Sequence, residues 1–448
     1  MNKTLSYIAS AVGGTLSKGA NKDRIVNGFY SDSRTPAADK MFLAIRGERF
    51  DGNDFVKNLV SQGYAALTDA PKNLNLGGDV ILVNNVTKAL QDLACFYRDT
   101  ELKSTPVVGI TGSVGKTTTK DMVSKALSAG LKVYKTEGNF NSQIGLPQTV
   151  LAADSGYDCA VVELGMSYKG EMERISRCAK PNISIITNIG YSHIENLGSR
   201  EAIRDEKLKI AAFSGNDSVL LLNGDEPLLR DINKDCYGTC YYVSASDTSC
   251  HCYATDICET ENGISFVAVI FGNSISVNLN VIGRHYVINT LFALCASYLL
   301  GVNLNAAAES LASYKSDGKR QHIYQKNGHT VISDCYNASP ESMLAALSVL
   351  NTAKNRRIAV LGDMLELGEC SVSLHQKVGE YTNNTTDVLI TYGDMAIQIA
   401  NGSKVKEIYS FPQDQRQELV EFLNGFIKET DTVLYKASNG MKLSELIV

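Results

Sequence analysis

Residues 107–119 read Val107-Val-Gly-Ile-Thr-Gly-Ser-Val-Gly-Lys-Thr-Thr-Thr119, and this stretch decides the fold. An apolar run enters a glycine-rich turn and meets Lys116 and Thr117. A helical pattern follows, with Met122, Val123, Ala126 and Leu127 on one face, and Gly130 is expected to close it. Glycines let backbone N–H groups curl around phosphate oxygens at a helix N-terminus, where the helix dipole also favours anions. The lysine of such a loop reaches the β- and γ-phosphates, and the hydroxyl after it ligates Mg²⁺. The expected nucleotide contacts are Gly112, Ser113, Val114, Gly115, Lys116, Thr117 and Thr118. The glycines fall at 109, 112 and 115, and Ile110 stands where the G-x-x-x-x-G-K-[ST] spacing has its first glycine.

Metal partners are expected at the ends of neighbouring strands. The run Cys159-Ala-Val-Val-Glu163 ends an apolar segment in a carboxylate that can share Mg²⁺ with Thr117. A second run, 183–188, is followed by Ile-Gly-Tyr-Ser-His193. This puts His193 on the edge where open parallel sheets bind ligands, as a candidate second metal ligand.

Outward from this core, strand-like and helix-like segments alternate, which predicts an α/β protein. Three units are expected: a small α/β unit at 1–103, a central phosphate-loop unit at 104–314, and a Rossmann-like unit at 315–448. The first contains MFLAIRG, the helical DGNDFVKNLVSQG and YAALTD. Within the central unit, YYVSAS, CYATDI, ISFVAVIF and SISVNLNVI are short runs between Gly- and Asn-rich breaks, and predict an appended antiparallel sheet. The apolar stretch at 286–302 is short for a membrane span and carries Asn289, Thr290 and Ser297, so it reads as a buried helix. The segment SYKSDGKRQ marks the second boundary.

Composition bounds the partners. Lys and Arg number 43 against 48 Asp and Glu, a net charge of −5, so no global attraction for nucleic acid or an anionic membrane is expected. Eleven cysteines are scattered without a CxxC pair, and the opening residues are too weakly apolar for a signal peptide. Both point to a reducing cytoplasmic compartment. Cys236, Cys240, Cys250, His251, Cys252 and Cys258 cluster in sequence, but their spacing matches no regular zinc ligand pair.

Four segments, TGSVGKTTT, EGNFNSQIGLP, VELGM and TNIGYSHIE, resemble the Mur ligases, ATP-dependent amide-forming enzymes of peptidoglycan precursor synthesis. The shortened glycine spacing is that family's form, and the resemblance covers essentially the whole chain. Three further segments are similar to the members that add D-alanyl-D-alanine: Asp334-Cys-Tyr-Asn-Ala-Ser-Pro-Glu-Ser-Met343, Leu361-Gly-Asp-Met-Leu-Glu-Leu-Gly-Glu369 with His375 downstream, and Ser31-Asp-Ser-Arg34 before FLAIRGERFDG. The D-N-P-R of diaminopimelate-adding ligases is absent. Folylpolyglutamate synthases share the loop, but close to their N-terminus, whereas here about a hundred residues precede it.

The resemblance implies an ATP- and Mg²⁺-dependent, monomeric ligase acting on UDP-N-acetylmuramoyl-tripeptide and D-alanyl-D-alanine. It places Asn139 near the reacting phosphate, Asn289 at the adenine, and Arg320 and Asp334 on ATP from the third unit. Ser31, Ser33 and Arg34 are implied to receive the uridine diphosphate end, and Asn337 and Ser339 to lie at the substrate. It selects Lys207 as a carbamate-bearing metal ligand beside His193. From its own residues, the helix REAIRDEKLKI with four basic side chains reads as a solvated face. Two departures stand out. Lys209 replaces the family's glutamate, and Lys436-Ala-Ser-Asn439 replaces its K-G-S-R.

Overall fold

The computed structural model describes residues 1–232, 237–260, 262–316 and 320–448. Three larger sheets organise them, together with one short ribbon at Lys3–Thr4 and Ile25–Val26. The first sheet has five strands, in the order Thr15–Leu16, Val80–Leu82, Ala65–Thr68, Met41–Leu43 and Phe29–Tyr30. Only the outermost pair, Thr15–Leu16 with Val80–Leu82, is antiparallel. After this sheet the helix Val86–Thr100 packs on helices Gly145–Ala152 and Glu171–Ala179, which joins the first sheet's layer to the second.

The second sheet has nine strands, and Val107–Thr111 runs parallel between Cys159–Glu163 and Ile183–Ile186. All three are buried along their length, as near-continuous apolar runs in a sheet covered on both faces should be. Register aligns their exits: Ile110 lies opposite Glu163, and Thr111 opposite Ile186. The phosphate loop, Glu163 and the segment leading to His193 therefore leave the sheet along one edge. One face is covered by helices Lys116–Leu127 and His285–Leu299. The latter accounts for the apolar stretch at 286–302. Its polar residues are buried and bonded, Thr290 to Tyr286 O at 2.8 Å and Ser297 to Ala293 O at 2.9 Å. No helix among the described residues is long and apolar enough to cross a membrane.

Two expectations need correction here. Of the four runs read as an appended antiparallel sheet, the first is parallel to its core neighbour. Cys252–Thr260, Gly263–Ile270 and Asn273–Leu279 extend the same nine-stranded sheet, and Thr239–Ser244, the YYVSAS run, joins it parallel to Val219–Asn223. Gly130 does not cap its helix through a left-handed turn. Tight bonds from Ala129, Gly130 and Leu131 to the carbonyls of Ala126 and Leu127 close that end.

The third sheet has six strands in the order His322–Lys326, His329–Ser333, Thr432–Lys436, Arg357–Gly362, Val388–Tyr392 and Glu407–Phe411. All neighbours after the first pair are parallel. The carboxyl ends of Thr432–Lys436 and His329–Ser333 face the central sheet's loop edge across a cleft of about 490 Å³.

Candidate active site

The phosphate loop is shaped before any ligand arrives. Gly112 and Gly115 have φ of +153° and +83°, and a Cβ on Gly112 would sit 1.9 Å from Thr187 Oγ1, so only glycine fits there. The loop is laced to the exit of the neighbouring strand. Val114 N donates to Asn188 Oδ1 at 2.9 Å, Thr187 Oγ1 donates to Val114 O at 2.6 Å, and Gly190 N donates to Ser113 Oγ at 2.8 Å. Lys116 Nζ donates to Gly112 O at 2.7 Å and Ser113 O at 3.3 Å. Loss of solvent lowers the Lys116 pKa; Glu163 opposes that shift and Arg320 adds to it. Asn289, buried behind the loop, accepts from Thr119 Oγ1 at 3.0 Å.

Glu163 is 2% exposed and fully engaged. Thr117 Oγ1 donates to its Oε2 at 2.9 Å, and Asn141 Nδ2 to its Oε1 at 2.7 Å. A hydroxyl and a carboxylate side by side fit a hard divalent cation such as Mg²⁺, which keeps water and substrate phosphate in its remaining positions. That preference suits a site with few protein ligands. Among the described residues no group of three or more His, Cys, Asp or Glu could hold a metal ion.

His193 and Lys207 flank the same region. His193 lines the cleft, its backbone is left-handed at φ +66°, and its Nδ1 contacts Glu366 Oε2 from the third unit. Burial lowers its pKa; Glu366 opposes that, and Lys116 and Lys207 reinforce it. The solvated-face reading of Arg200–Leu208 fails at Lys207, which is 2% exposed and among the largest fully buried side chains. Burial first, then the charge of Lys116, holds its pKa well below the usual lysine value, with Glu206 opposing. Two positions on, Lys209 is one-third exposed and donates to Glu206 Oε2 at 2.8 Å.

The opposite wall comes from the third unit. Arg320 lies 4.3 Å over the Tyr336 ring and lines the cleft with Asp334. Lys436 is 1% exposed, and its Nζ donates to Asp334 Oδ2 at 2.7 Å and Asn337 O at 2.9 Å. The altered Lys436-Ala-Ser-Asn439 segment thus keeps a lysine that holds the Asp334 loop in place. Ser339 reaches the cleft but is committed to capping helix Pro340–Leu350, and Asn337 Oδ1 accepts from Ala338 N. Gly318 and Lys319, beside Arg320, lie outside the described residues, as does Cys236.

Some expected residues are elsewhere. Asn139 is exposed and outside the cleft lining; Asn141, two positions on, is the asparagine that reaches Glu163. Ser31, Ser33 and Arg34 also lie outside the cleft. Arg34 donates to both Asp32 oxygens, at 2.9 and 2.7 Å, which holds the Asp32 pKa at about 2. The cysteine cluster is dispersed: Cys250 Sγ accepts from Arg230, His251 Nδ1 accepts from Tyr242 N, and Cys258 is exposed. Asn141, Lys436 and Glu366 carry no local signal of a site role, since each acts through a partner distant in sequence.

A phosphate loop on a parallel sheet, faced across a cleft by a second α/β sheet, defines a multi-unit nucleotide-binding protein. Residues 26–98 match the Mur ligase family catalytic domain, 110–297 the Mur ligase middle domain, and 319–439 the Mur ligase glutamate ligase domain. The chain is 36% identical to the UDP-N-acetylmuramoyl-tripeptide–D-alanyl-D-alanine ligase of Bacillus subtilis, over 100% of this chain and 98% of that one. It is similar to the crystal structure of MurF from Acinetobacter baumannii, with a TM-score of 0.89 and 27% identity, covering 100% and 98% of the two chains. It is also similar to MurF ligase from Thermotoga maritima in complex with ADP, with a TM-score of 0.82 and 28% identity, covering 94% and 96%. This chain belongs to the Mur ligase family.

Proposed function

We propose that the protein joins the amine of D-alanyl-D-alanine to the terminal carboxylate of UDP-N-acetylmuramoyl-tripeptide while ATP is converted to ADP and phosphate. The observation that carries this reading is the one cleft in which Lys116 and Glu163 face Arg320, Asp334 and Lys436. The substrate pair follows the names of the relatives matched end to end.

A carboxylate and an amine do not condense unaided at neutral pH. Transfer of the γ-phosphoryl group to the carboxylate gives an acyl phosphate. Attack by the amine then expels phosphate and forms the amide. Such transfer needs positioning and charge neutralisation more than covalent help. Loop N–H groups cradle the phosphates, and the Lys116 ammonium exchanges the Gly112 and Ser113 carbonyls for phosphate oxygens. Arg320 brings charge from the third unit, and Lys436 holds Asp334 and Asn337 beside it. Thr117 and Glu163 would hold one Mg²⁺, and His193 with Lys207 a second, the cations neutralising phosphate and carboxylate charge when bound. Burial favours the neutral amine of Lys207, the form that adds CO₂ to become a carbamate and release a proton.

The units span 1–103, 104–314 and 315–448. Ser31, Ser33 and Arg34 receive the uridine diphosphate end, and D-alanyl-D-alanine lies against the third unit near Asn337. The protein acts in the cytoplasm as a monomer. Phosphate release from purified protein with UDP-tripeptide and ATP tests the reading. Release stimulated by D-alanyl-D-alanine, and not by D-glutamate or single L-amino acids, is expected. Stimulation by a single amino acid instead would assign another ligase activity.

A further inference from the structure

Two non-glycine residues, His193 in the cleft lining and Glu366 in the third unit, have left-handed backbones, and their side chains meet. His193 has φ +66° and Glu366 has φ +62°. Such residues persist only where their surroundings over-determine them, and they concentrate at functional sites. His193 Nδ1 contacts Glu366 Oε2, and two residues further Glu195 N donates to Glu366 O at 3.3 Å. The fit is close enough that a Cβ on Gly368 would lie 3.3 Å from Glu195 Cβ.

The loop carrying Glu366 is pinned from behind. His375 is fully buried, and its Nδ1 lies 2.7 Å from Ser371 O. A carbonyl only accepts, so Nδ1 bears the proton and Nε2 is left to accept Met364 N–H at 3.0 Å. Leu365 N donates to Ser438 Oγ at 3.0 Å, and Ser438 N donates to Asp363 O at 3.0 Å. The Asp363 carboxylate accepts from Met395 N and Ala396 N at 3.1 and 2.6 Å. Residues 363–365 are therefore fixed, and the next side chain is aimed at His193 although it is half-exposed. This gives a role to the LGDMLELGE motif and its downstream histidine, which the phosphate chemistry leaves unused.

We propose that Glu366 is a positioning residue for His193: it holds the proton on Nδ1, leaves the Nε2 lone pair for the cleft, and does so only while the third unit lies over the central one. A neutral imidazole has one donor and one acceptor nitrogen, and a carboxylate on one fixes which is which. Completion of a central-unit group is thereby tied to placement of the third unit. The task of Nε2 rests on the function proposed above; the tautomer assignment does not. Glu369, exposed in the same loop, makes no hydrogen bond or ion pair among the described residues and serves as a control.

The experiment compares the full-length protein with Glu366→Ala, Glu366→Gln and Glu369→Ala. Imidazole ¹⁵N spectra, with the His193 signals assigned through His193→Asn, report the tautomer without reference to activity. The expected result is an Nδ1–H form in the parent, its loss in Glu366→Ala, and its retention in Glu366→Gln, whose amide oxygen still accepts. In the same series Glu366→Ala lowers kcat about 10- to 100-fold, with KM for ATP changed less than about threefold. Glu366→Gln recovers most of the loss, and Glu369→Ala matches the parent. An unchanged His193 tautomer in Glu366→Ala, or equal losses in Glu366→Ala and Glu369→Ala, overturns the proposal. A tautomer that shifts as described in a protein inactive toward every peptide substrate supports the Glu366 assignment while removing the proposed function.

Discussion

At the phosphate loop, Lys116 already rests on two carbonyls, and Glu163 is 2% exposed between Thr117 and Asn141. At residues 31–34 the arrangement is the reverse: Ser31 and Arg34 stand in solvent, and the guanidinium's partner is Asp32 two positions away. Groups held in a water-poor cleft interact strongly with charge that develops during reaction and need no reorganisation then. Exposed groups are screened and pay entropy to engage. The comparison separates residues that perform the chemistry from those that collect the substrate, and it ranks the expected effects.

The largest effect is expected at Lys116. Lys116→Ala should lose phosphate release by about 10²–10³-fold, by analogy with removal of one preorganised donor to transition-state charge, while the thermal unfolding midpoint is retained. Near-parental turnover in the folded variant would break the comparison at its buried end. Next comes Lys207, whose neighbour supplies the contrast. Lys207→Ala should be severely impaired and partly restored by acetate, which supplies the missing carboxylate. Lys209→Ala should keep its turnover but lose about 1–2 kcal/mol of stability in denaturant melts, because Glu206 then keeps only its bond from Met172 N. Reversed phenotypes would move the metal-directed lysine by two positions.

His285 sharpens the same contrast through pH. It lines the cleft half-buried, and burial pushes its pKa down to about 4. The unfolded chain thus binds the proton first, near pH 6.5, and the folded one near pH 4. Its contribution is fully present above about pH 6.5 and drains away as pH falls towards about 4, roughly 1–3 kcal/mol in all. Denaturant melts across this window should show His285→Gln with a flatter acid limb than the parent; parallel limbs would contradict the assignment. The smallest effect is expected at the exposed end. Arg34→Ala should raise KM for the UDP-linked substrate about two- to fivefold, with kcat unchanged and the difference shrinking as salt rises.

The parts legible in the sequence are those whose signal is contiguous. Strand, glycines, Lys116, Thr117 and the start of the helix lie within thirteen residues, and Glu163 is announced by the apolar run it ends. Lys207 is different. REAIRDEKLKI has the charge pattern of a solvated helix, and only packing within the central unit buries one lysine while leaving another in contact with Glu206. Resemblance, not pattern, selected it. Asn139 and Asn141 are chemically identical and two positions apart, and only the folded chain shows that Asn141 is the one that bonds Glu163. The direction in which YYVSAS pairs was likewise invisible, since parallel pairing is set by a crossover and not by the run itself. His193 and Glu366 lie 173 residues apart, and no local pattern links them.

The central claim is that the cleft activates a carboxylate by phosphoryl transfer. The most direct test is to label the terminal carboxylate of the UDP-tripeptide with ¹⁸O and follow the phosphate released on ligation to D-alanyl-D-alanine. Attack of that carboxylate on the γ-phosphorus places one of its oxygens in the acyl phosphate bridge, and attack of the amine at carbon leaves that oxygen on phosphorus. One ¹⁸O atom in each released phosphate is the result the account predicts. Unlabelled phosphate released alongside amide product would show that the carboxylate was not phosphorylated, and would contradict it.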